Sequence, residues 1–275
     1  MAPRVTMRGG GPSCGDPPET MAIKATLMTA EPFPLYYPSD ARRPFETDDA
    51  TRRFANVAGL GSGAKVLDLA CGRGNAALVL AREYGCEVVA ADAEEAFVQQ
   101  LAERVKAFSL TGRVDARKVG YAKLPFAAAE FDAILIQGPV ILRSKEVAEV
   151  VRNLLAPNGR LGFTYPAKVG RSPAKTALEF WEGRLGEALL LPRELLLQFQ
   201  QSGYEPETVE TLADAELAEL YRQAEAKLDS DPRAATFRQE IEIFRAGARA
   251  SVTYAMVIGR RREPGEKPPA SRDRG

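Results

Sequence analysis

Apolar and polar stretches alternate regularly between residues 48 and 260, and this pattern predicts strands and helices in succession. The predicted strands are Lys65–Ala70, Glu87–Ala91, Val114–Val119, Phe131–Gln137, Arg160–Tyr165, Thr208–Leu212 and Ser251–Arg260. The predicted helices are Asp48–Ala58, Asn75–Tyr84, Glu94–Phe108, Lys145–Leu155 and Pro192–Gln201. Successive β-α repeats with right-handed crossovers are typical of an α/β fold. The pattern therefore predicts a doubly wound, mainly parallel seven-stranded sheet.

The two ends and two internal segments depart from this repeat. Residues 1–32, rich in Gly, Pro and Met, predict a disordered leader, and 261–275 predict a disordered tail. Residues 33–260 are predicted to form one domain. Within it, insertions at 167–191 and 213–247 begin or end at the edge where the strands terminate, so we expect them to form a lid over a substrate. The second insertion predicts two amphipathic helices, whose acidic bias is typical of a solvated face.

Composition narrows the possible partners and chemistry. The 275 residues include 37 basic and 37 acidic ones, a balance that disfavours nucleic acid as the main partner. No apolar run reaches membrane-spanning length, and the three cysteines lack metal-ligand spacing, which favours a cytoplasmic protein without a metal site. The chain contains no histidine. Any general base must therefore be a carboxylate, tyrosine, lysine or the substrate itself.

The segment Val66–Asn75 carries the strongest functional signal. An apolar strand containing Asp68 is followed by a glycine-rich turn through Gly72 and Gly74 and then by a helix. Such a turn brings a small ligand against backbone N–H groups at a helix N-terminus. The next strand ends in Asp92, a carboxylate suited to bind two ribose hydroxyls. These features predict a site for a nucleoside-bearing cofactor.

Two cofactor classes fit the glycine turn. Gly72–Ala77 matches the G-x-G-x-x-A pattern of dinucleotide-binding proteins, which keeps an NAD(P)-dependent oxidoreductase among the alternatives. Asp68 argues against it, because a carboxylate just before the turn would repel a pyrophosphate. The same carboxylate suits S-adenosylmethionine, which carries an ammonium group and a sulfonium charge and has no phosphates.

Val66–Asn75 resembles the first motif of the class I S-adenosylmethionine-dependent methyltransferases. Other segments that resemble this family are Leu124–Phe126 with Phe131-Asp132, Leu154–Leu161, and Leu191–Leu195 through Gly203-Tyr204. The resemblance covers roughly residues 50–212 and is greatest for the ubiquinone/menaquinone-biosynthesis-like group of small-molecule enzymes. It implies methyl transfer from S-adenosylmethionine to a small-molecule acceptor by in-line displacement. A non-catalytic cofactor-binding or scaffold protein on the same fold is the main alternative.

The resemblance also implies roles for individual residues of the cofactor site. The backbone around Ala70 and Gly72 would hold the methionine end, and Asp68 would support its ammonium group. Asp92 would bind the ribose hydroxyls, and Ala93 would pack on the adenine.

The adenine end departs from the family pattern. Many members have an aspartate where this chain has Gly120. Adenine recognition would then depend on backbone groups of Tyr121 and Ala122, with the Tyr121 ring stacking on the base.

Three further residues are candidates for the acceptor side. Gln137 ends the fourth strand, next to the expected position of the transferred methyl, although Gly138-Pro139 also require a turn partner there. Tyr37 precedes the first helix, where it either folds over the cofactor or lies on a surface loop. Trp181 in the first insertion either lines a substrate pocket or anchors the insertion to the core. Gln137 is the one candidate for a catalytic role.

Overall fold

A computed structural model describes residues 46–120, 124–137, 145–228, 234–246, 251–263 and 265–266, without the side chains of 145–147. The predicted leader over 1–32 falls outside these residues, as do Tyr37, Tyr121 and Ala122. Of the predicted tail over 261–275, residues 261–263 and 265–266 are described, and Arg261 belongs to the last strand. Among the described residues, no helix combines the length and apolarity needed to cross a membrane.

Seven strands form a single sheet in the order β3-β2-β1-β4-β5-β7-β6. Their bounds are β1 Lys65–Leu69, β2 Glu87–Asp92, β3 Val114–Lys118, β4 Phe131–Ile136, β5 Leu155–Lys168, β6 Tyr204–Thr211 and β7 Val252–Arg261. The first five strands are parallel, and β7 runs antiparallel to both of its neighbours. The predicted fold class is confirmed, and β3 lies at a sheet edge, as its polar sequence indicated.

Eight helices accompany the strands in the described part of the chain. They are α1 Asp48–Ala58, α2 Asn75–Glu83, α3 Glu95–Ala107, α4 Lys145–Leu154, α5 Lys175–Leu185, α6 Pro192–Gln201, α7 Asp214–Glu225 and α8 Ala234–Arg245. The Thr47 side chain caps α1 by accepting the Ala50 N–H at 3.2 Å. The bounds of α1 and α6 are as predicted. The second insertion contains two helices, α7 and α8, which confirms that prediction.

The helices divide between the two faces of the sheet. We define the front face as the one that presents Val66, Leu135 and Met256, and the back face as the opposite one. Helices α1, α2, α3, α5, α7 and α8 contribute buried side chains to the front core. Helices α4 and α6 pack on the back face. Residues 133–136 of β4 are fully buried, as expected for a strand covered on both sides.

Two predicted strand starts were wrong, and β5 also ends three residues later than predicted, at Lys168. Strand β5 begins at Leu155, because this residue pairs with Phe131, and the expected turn at 157–159 is an irregularity within the strand. Asn158 has a φ of +59° there, so the turn conformation persists inside the strand. Strand β6 begins four residues early, at Tyr204, whose ring stacks on Phe199 with centroids 4.4 Å apart.

Candidate cofactor and acceptor site

The order of the strands reverses at β1, which lies between β2 and β4. In open parallel sheets, ligands bind outside the carboxyl ends of the strands at this switch point. The sequence brings three polar elements to this edge. Asp68 lies within β1 near its carboxyl end, Asp92 is the last residue of β2, and Gln137 follows β4.

The turn between β1 and α2 is built from alternating left-handed residues. Ala70, Gly72 and Gly74 have φ values of +62°, +54° and +71°. Cys71 donates its N–H to the carbonyl of Ala91 at 3.1 Å, which joins the turn to β2. The turn therefore presents backbone with little side-chain cover at the start of α2, as a close-fitting small ligand requires.

Helix α3 holds this turn from outside. A Cβ atom added to Gly74 would lie 2.3 Å from Cδ1 of Leu101. Arg104 donates to the carbonyl oxygen of Arg73 at 2.7 Å and to Oδ1 of Asn75 at 2.9 Å. Sequence reasoning missed both α3 residues, because contacts about thirty positions apart leave no local pattern.

The Asp92 carboxylate joins the turn after β1 to the one after β2. Its Oδ2 accepts the Gly72 N–H at 2.8 Å, and its Oδ1 accepts the N–H of Glu94, the N-cap residue of α3, at 2.9 Å. The residue is 5% exposed. A carboxylate has about four acceptor positions, so these two bonds leave capacity for two hydroxyl donors. Asp92 thus organises the start of α3 and also suits a ribose.

Asp68 is the most deeply buried carboxylate at this edge. It is 1% exposed and pairs in register with Ala90 of β2 and Leu135 of β4. Paired residues of parallel strands share a face, so Asp68 lies on the front face with Leu135. A carboxylate buried this deeply favours a cationic group in contact with it. The chemistry of Asp68 and Asp92 together therefore fits a ligand that carries both an ammonium group and a ribose.

The expected adenine end lies beside Asp92. Val119 donates its N–H to the carbonyl oxygen of Asp92 at 2.8 Å, which brings Gly120 to this edge. Ala93 is exposed, so its methyl group is accessible to a flat ring. The roles of Ala93, Tyr121 and Ala122 in binding adenine stay predictions.

The acceptor side begins at Gln137, which is 3% exposed. On β4, Leu135 pairs with Gly162 and Ile136 pairs with Phe163 of β5. The same register, continued by one position, places Gln137 beside Thr164. Both residues share the front face with Asp68. Thr164 is buried, and sequence reasoning missed it although a lone hydroxyl in an apolar strand is a usable signal.

Trp181 lies in an aromatic cluster on the same face. Its ring makes edge-to-face contacts with Tyr254 at 5.6 Å and with Phe180 at 5.5 Å. The side chain is 3% exposed, so it anchors α5 to β7. A contact between Trp181 and substrate stays a prediction. No cluster of metal-ligating side chains is present among the described residues.

The comparisons with known sequences agree with this geometry. A family described as "Methyltransferase domain" matches residues 66–159. An uncharacterized protein of Haemophilus influenzae is 32% identical over 120 residues, which are 42% of this chain and 47% of that protein. The glycine/sarcosine/dimethylglycine N-methyltransferase of Actinopolyspora halophila is 30% identical over 123 residues, 44% of this chain and 22% of that protein. The match spans less than half the length of either relative.

Solved structures share the fold over most of the chain. The cyclase SpnF has a TM-score of 0.67 at 19% identity, covering 84% of this chain and 89% of that chain. An S-adenosylmethionine-dependent methyltransferase from Thiobacillus denitrificans was solved with S-adenosyl-L-homocysteine. It has a TM-score of 0.65 at 18% identity, and the match covers 81% of this chain and 95% of that chain. Residues 66–159 are therefore similar to a methyltransferase domain, and the chain shares the fold of S-adenosylmethionine-dependent methyltransferases of known structure.

Proposed function

We propose that this chain transfers a methyl group from S-adenosylmethionine to a small-molecule acceptor. The observation that carries the proposal is the pair of buried carboxylates, Asp68 and Asp92, on either side of a left-handed glycine turn at the switch point of the sheet. The family match over residues 66–159 supports it.

Each part of the site has a separate task in this proposal. When bound, S-adenosylmethionine supplies an activated methyl group, so the protein needs no strong acid. Asp68 orients the ammonium group, Asp92 orients the ribose, and the backbone around Ala70 and Gly72 holds the methionine end. Gln137 and Thr164 border the acceptor side, where positioning supplies most of the rate enhancement.

We infer that the acceptor is a small amine. A neutral amine attacks with its own lone pair and needs no general base, which suits a chain without histidine. The name of the Actinopolyspora halophila relative supports amine acceptors. A phenolic acceptor of the ubiquinone/menaquinone-biosynthesis-like type needs a base for its hydroxyl proton, and this makes it the second choice.

We further infer that the protein works in a reducing compartment such as the cytoplasm. Cys71 and Cys86 are both buried free thiols. Such thiols persist where disulfides do not form.

A titration with S-adenosylhomocysteine tests the cofactor assignment. We expect micromolar-range binding by calorimetry and a loss of about tenfold to a hundredfold in Asp92→Asn, because hydrogen bonds to a charged group contribute roughly 1.5–3 kcal/mol. Asp115→Asn on the neighbouring strand β3 is the control, since this side chain is exposed and pairs with Arg117. Equal affinity in wild type and Asp92→Asn would refute the ribose assignment.

A second candidate function is a different reaction on the same fold. The likeness to SpnF, which is named as a cyclase, supports this alternative. Radiolabelled S-adenosylmethionine incubated with glycine, sarcosine, dimethylglycine and phenolic acceptors separates the candidates. Tight S-adenosylhomocysteine binding without transfer to any acceptor would favour the alternative, and thermal stabilisation by NAD(P) alone would favour an oxidoreductase.

A further inference from the structure

One carboxylate outside the cofactor site is almost completely buried. Glu240 of α8 is 2% exposed, although it lies in an insertion whose acidic residues were expected to face solvent. The expectation fails at this position because the carboxylate contacts Tyr221 and Tyr254, two residues of the front core. A buried carboxylate needs several polar partners to be tolerated.

The partners of Glu240 come from three different elements. Tyr221 of α7 donates its hydroxyl to Oε1 at 2.6 Å, and Tyr254 of β7 donates to the same oxygen at 3.3 Å. Arg184 of α5 donates to Oε2 at 3.3 Å. One side chain of α8 therefore connects both insertions to the sheet. We call these four residues the Glu240 cluster.

Among the residues that the structure describes, the surroundings of the cluster leave no room for an acceptor. The adjacent cavity is lined by Trp181, Leu217 and Phe244 among others and has a volume of about 10 Å³. That volume holds about one water molecule and no acceptor. The guanidinium of Arg184 lies over the rings of Phe180 and Trp181, at 5.0 and 5.8 Å, so a cation of the chain itself occupies this aromatic environment.

The register of the sheet connects the cluster to the acceptor side. Tyr254 pairs with Pro166 of β5, and Met256 pairs with Thr164. Tyr254 therefore shares the front face with Thr164, two positions further toward the carboxyl edge of β5. Helix α1 covers the same face nearer the start of β5, where Phe54 packs on Gly162. The helices joined by Glu240 thus pack on the front face at Tyr254, two positions along β5 from Thr164.

We propose that Glu240 is a positioning residue of the methyl-transfer reaction, which holds α5, α7 and α8 on β7 and so sets the distance from the insertion helices to the acceptor. This inference rests on the proposed function. It assigns the acceptor end of the site to the two insertions, and it leaves cofactor binding to the elements around β1 and β2.

The test compares Glu240→Ala with Glu240→Gln and with Glu225→Ala. Glu225 is a matched control, because it also joins α7 to α8, through Arg245, but at the surface. For the acceptor with the highest turnover among glycine, sarcosine and dimethylglycine, we expect Glu240→Ala to raise KM about tenfold, since small misplacements are costly in positioned reactions. Glu240→Gln keeps a polar side chain of the same shape, so its KM should stay near the wild-type value. Glu225→Ala should leave KM unchanged.

Two acceptor-independent readouts complete the experiment. Hydrogen exchange in α5 and α8 should accelerate in Glu240→Ala, and S-adenosylhomocysteine affinity should stay at the wild-type value. Unchanged KM, or unchanged exchange if none of the amines reacts, would overturn the inference. Loss of binding in wild type would instead refute the proposed function. If Glu240→Ala does not fold, the double variant Tyr221→Phe, Tyr254→Phe removes both hydroxyl partners while keeping core volume, with the same expected outcomes.

Discussion

The proposed cofactor half of the site and its proposed acceptor half are built in different ways. Around β1 and β2, backbone N–H groups and strand-end carboxylates make the site, and the residues lie within short stretches of sequence. Around β5, β7 and the insertions, side chains from distant elements meet, and Glu240 is their common partner. A site built from backbone tolerates few changes in geometry, whereas one built from side chains adapts to different acceptors.

The largest expected effect comes from the glycine turn. Gly74→Ala combines a φ of +71° with a Cβ 2.3 Å from Leu101, so we expect a loss of about 2–4 kcal/mol in the free energy of unfolding and a much weaker S-adenosylhomocysteine complex. Urea denaturation and calorimetry measure both. Gly112→Ala, where a Cβ meets nothing within 4 Å, is the control and should be nearly neutral. Wild-type stability in Gly74→Ala would show that the turn is not rigid.

A second variant separates the two carboxylates of the cofactor half. Asp68→Asn should weaken S-adenosylhomocysteine binding by about tenfold, because the ammonium group loses a charged partner. Binding of methylthioadenosine, which lacks the amino-acid group, should not change. Asp92→Asn should weaken both ligands, since both carry the ribose. Equal effects of Asp68→Asn on both ligands would contradict its assigned role.

In the acceptor half, Glu240 should make stability depend on pH. Burial raises the pKa of Glu240 above its ordinary value of 4.5, against the opposing effects of Tyr221, Arg184 and Tyr254. A raised carboxyl pKa means that the folded state binds the proton of this group more tightly than the unfolded state does. Its contribution is therefore fully present below pH 4.5 and is lost as the pH rises through the folded-state value. The difference in the free energy of unfolding between wild type and Glu240→Gln should therefore fall as the pH rises through this range. A difference that does not change with pH would contradict this prediction.

The surface pair between α7 and α8 should show the opposite sign and the smallest effect. The Arg245 guanidinium lowers the pKa of Glu225, so its contribution is present above pH 4.5 and is lost as the pH falls. Glu225 and Arg245 are 40% and 51% exposed, so water and salt screen the pair and its contribution to the free energy of unfolding is small. Urea denaturation of Glu225→Gln at low and high salt measures it. An effect as large as that of Glu240→Gln would remove the distinction between buried and surface contacts.

The same difference explains how far sequence reasoning reaches. Spacing and residue type alone predict the positions of the glycine turn and of the two carboxylates, Asp68 and Asp92. Each of them lies at the end of a predicted strand. The Arg104 contact with the turn and the burial of Glu240 depend on how separate helices pack. An amphipathic pattern identified α8 as a helix and indicated nothing about which glutamate its neighbours enclose. The start of β5 was likewise decided by its pairing with Phe131.

The most direct test of the central claim is a crystal structure of the complex with S-adenosylhomocysteine. The expected complex has both ribose hydroxyls on Asp92, the ammonium group at Asp68, and the sulfur directed toward Gln137 and Thr164. Ligand density elsewhere, such as at the opposite edge of the sheet beside Lys65 and Arg113, would contradict it.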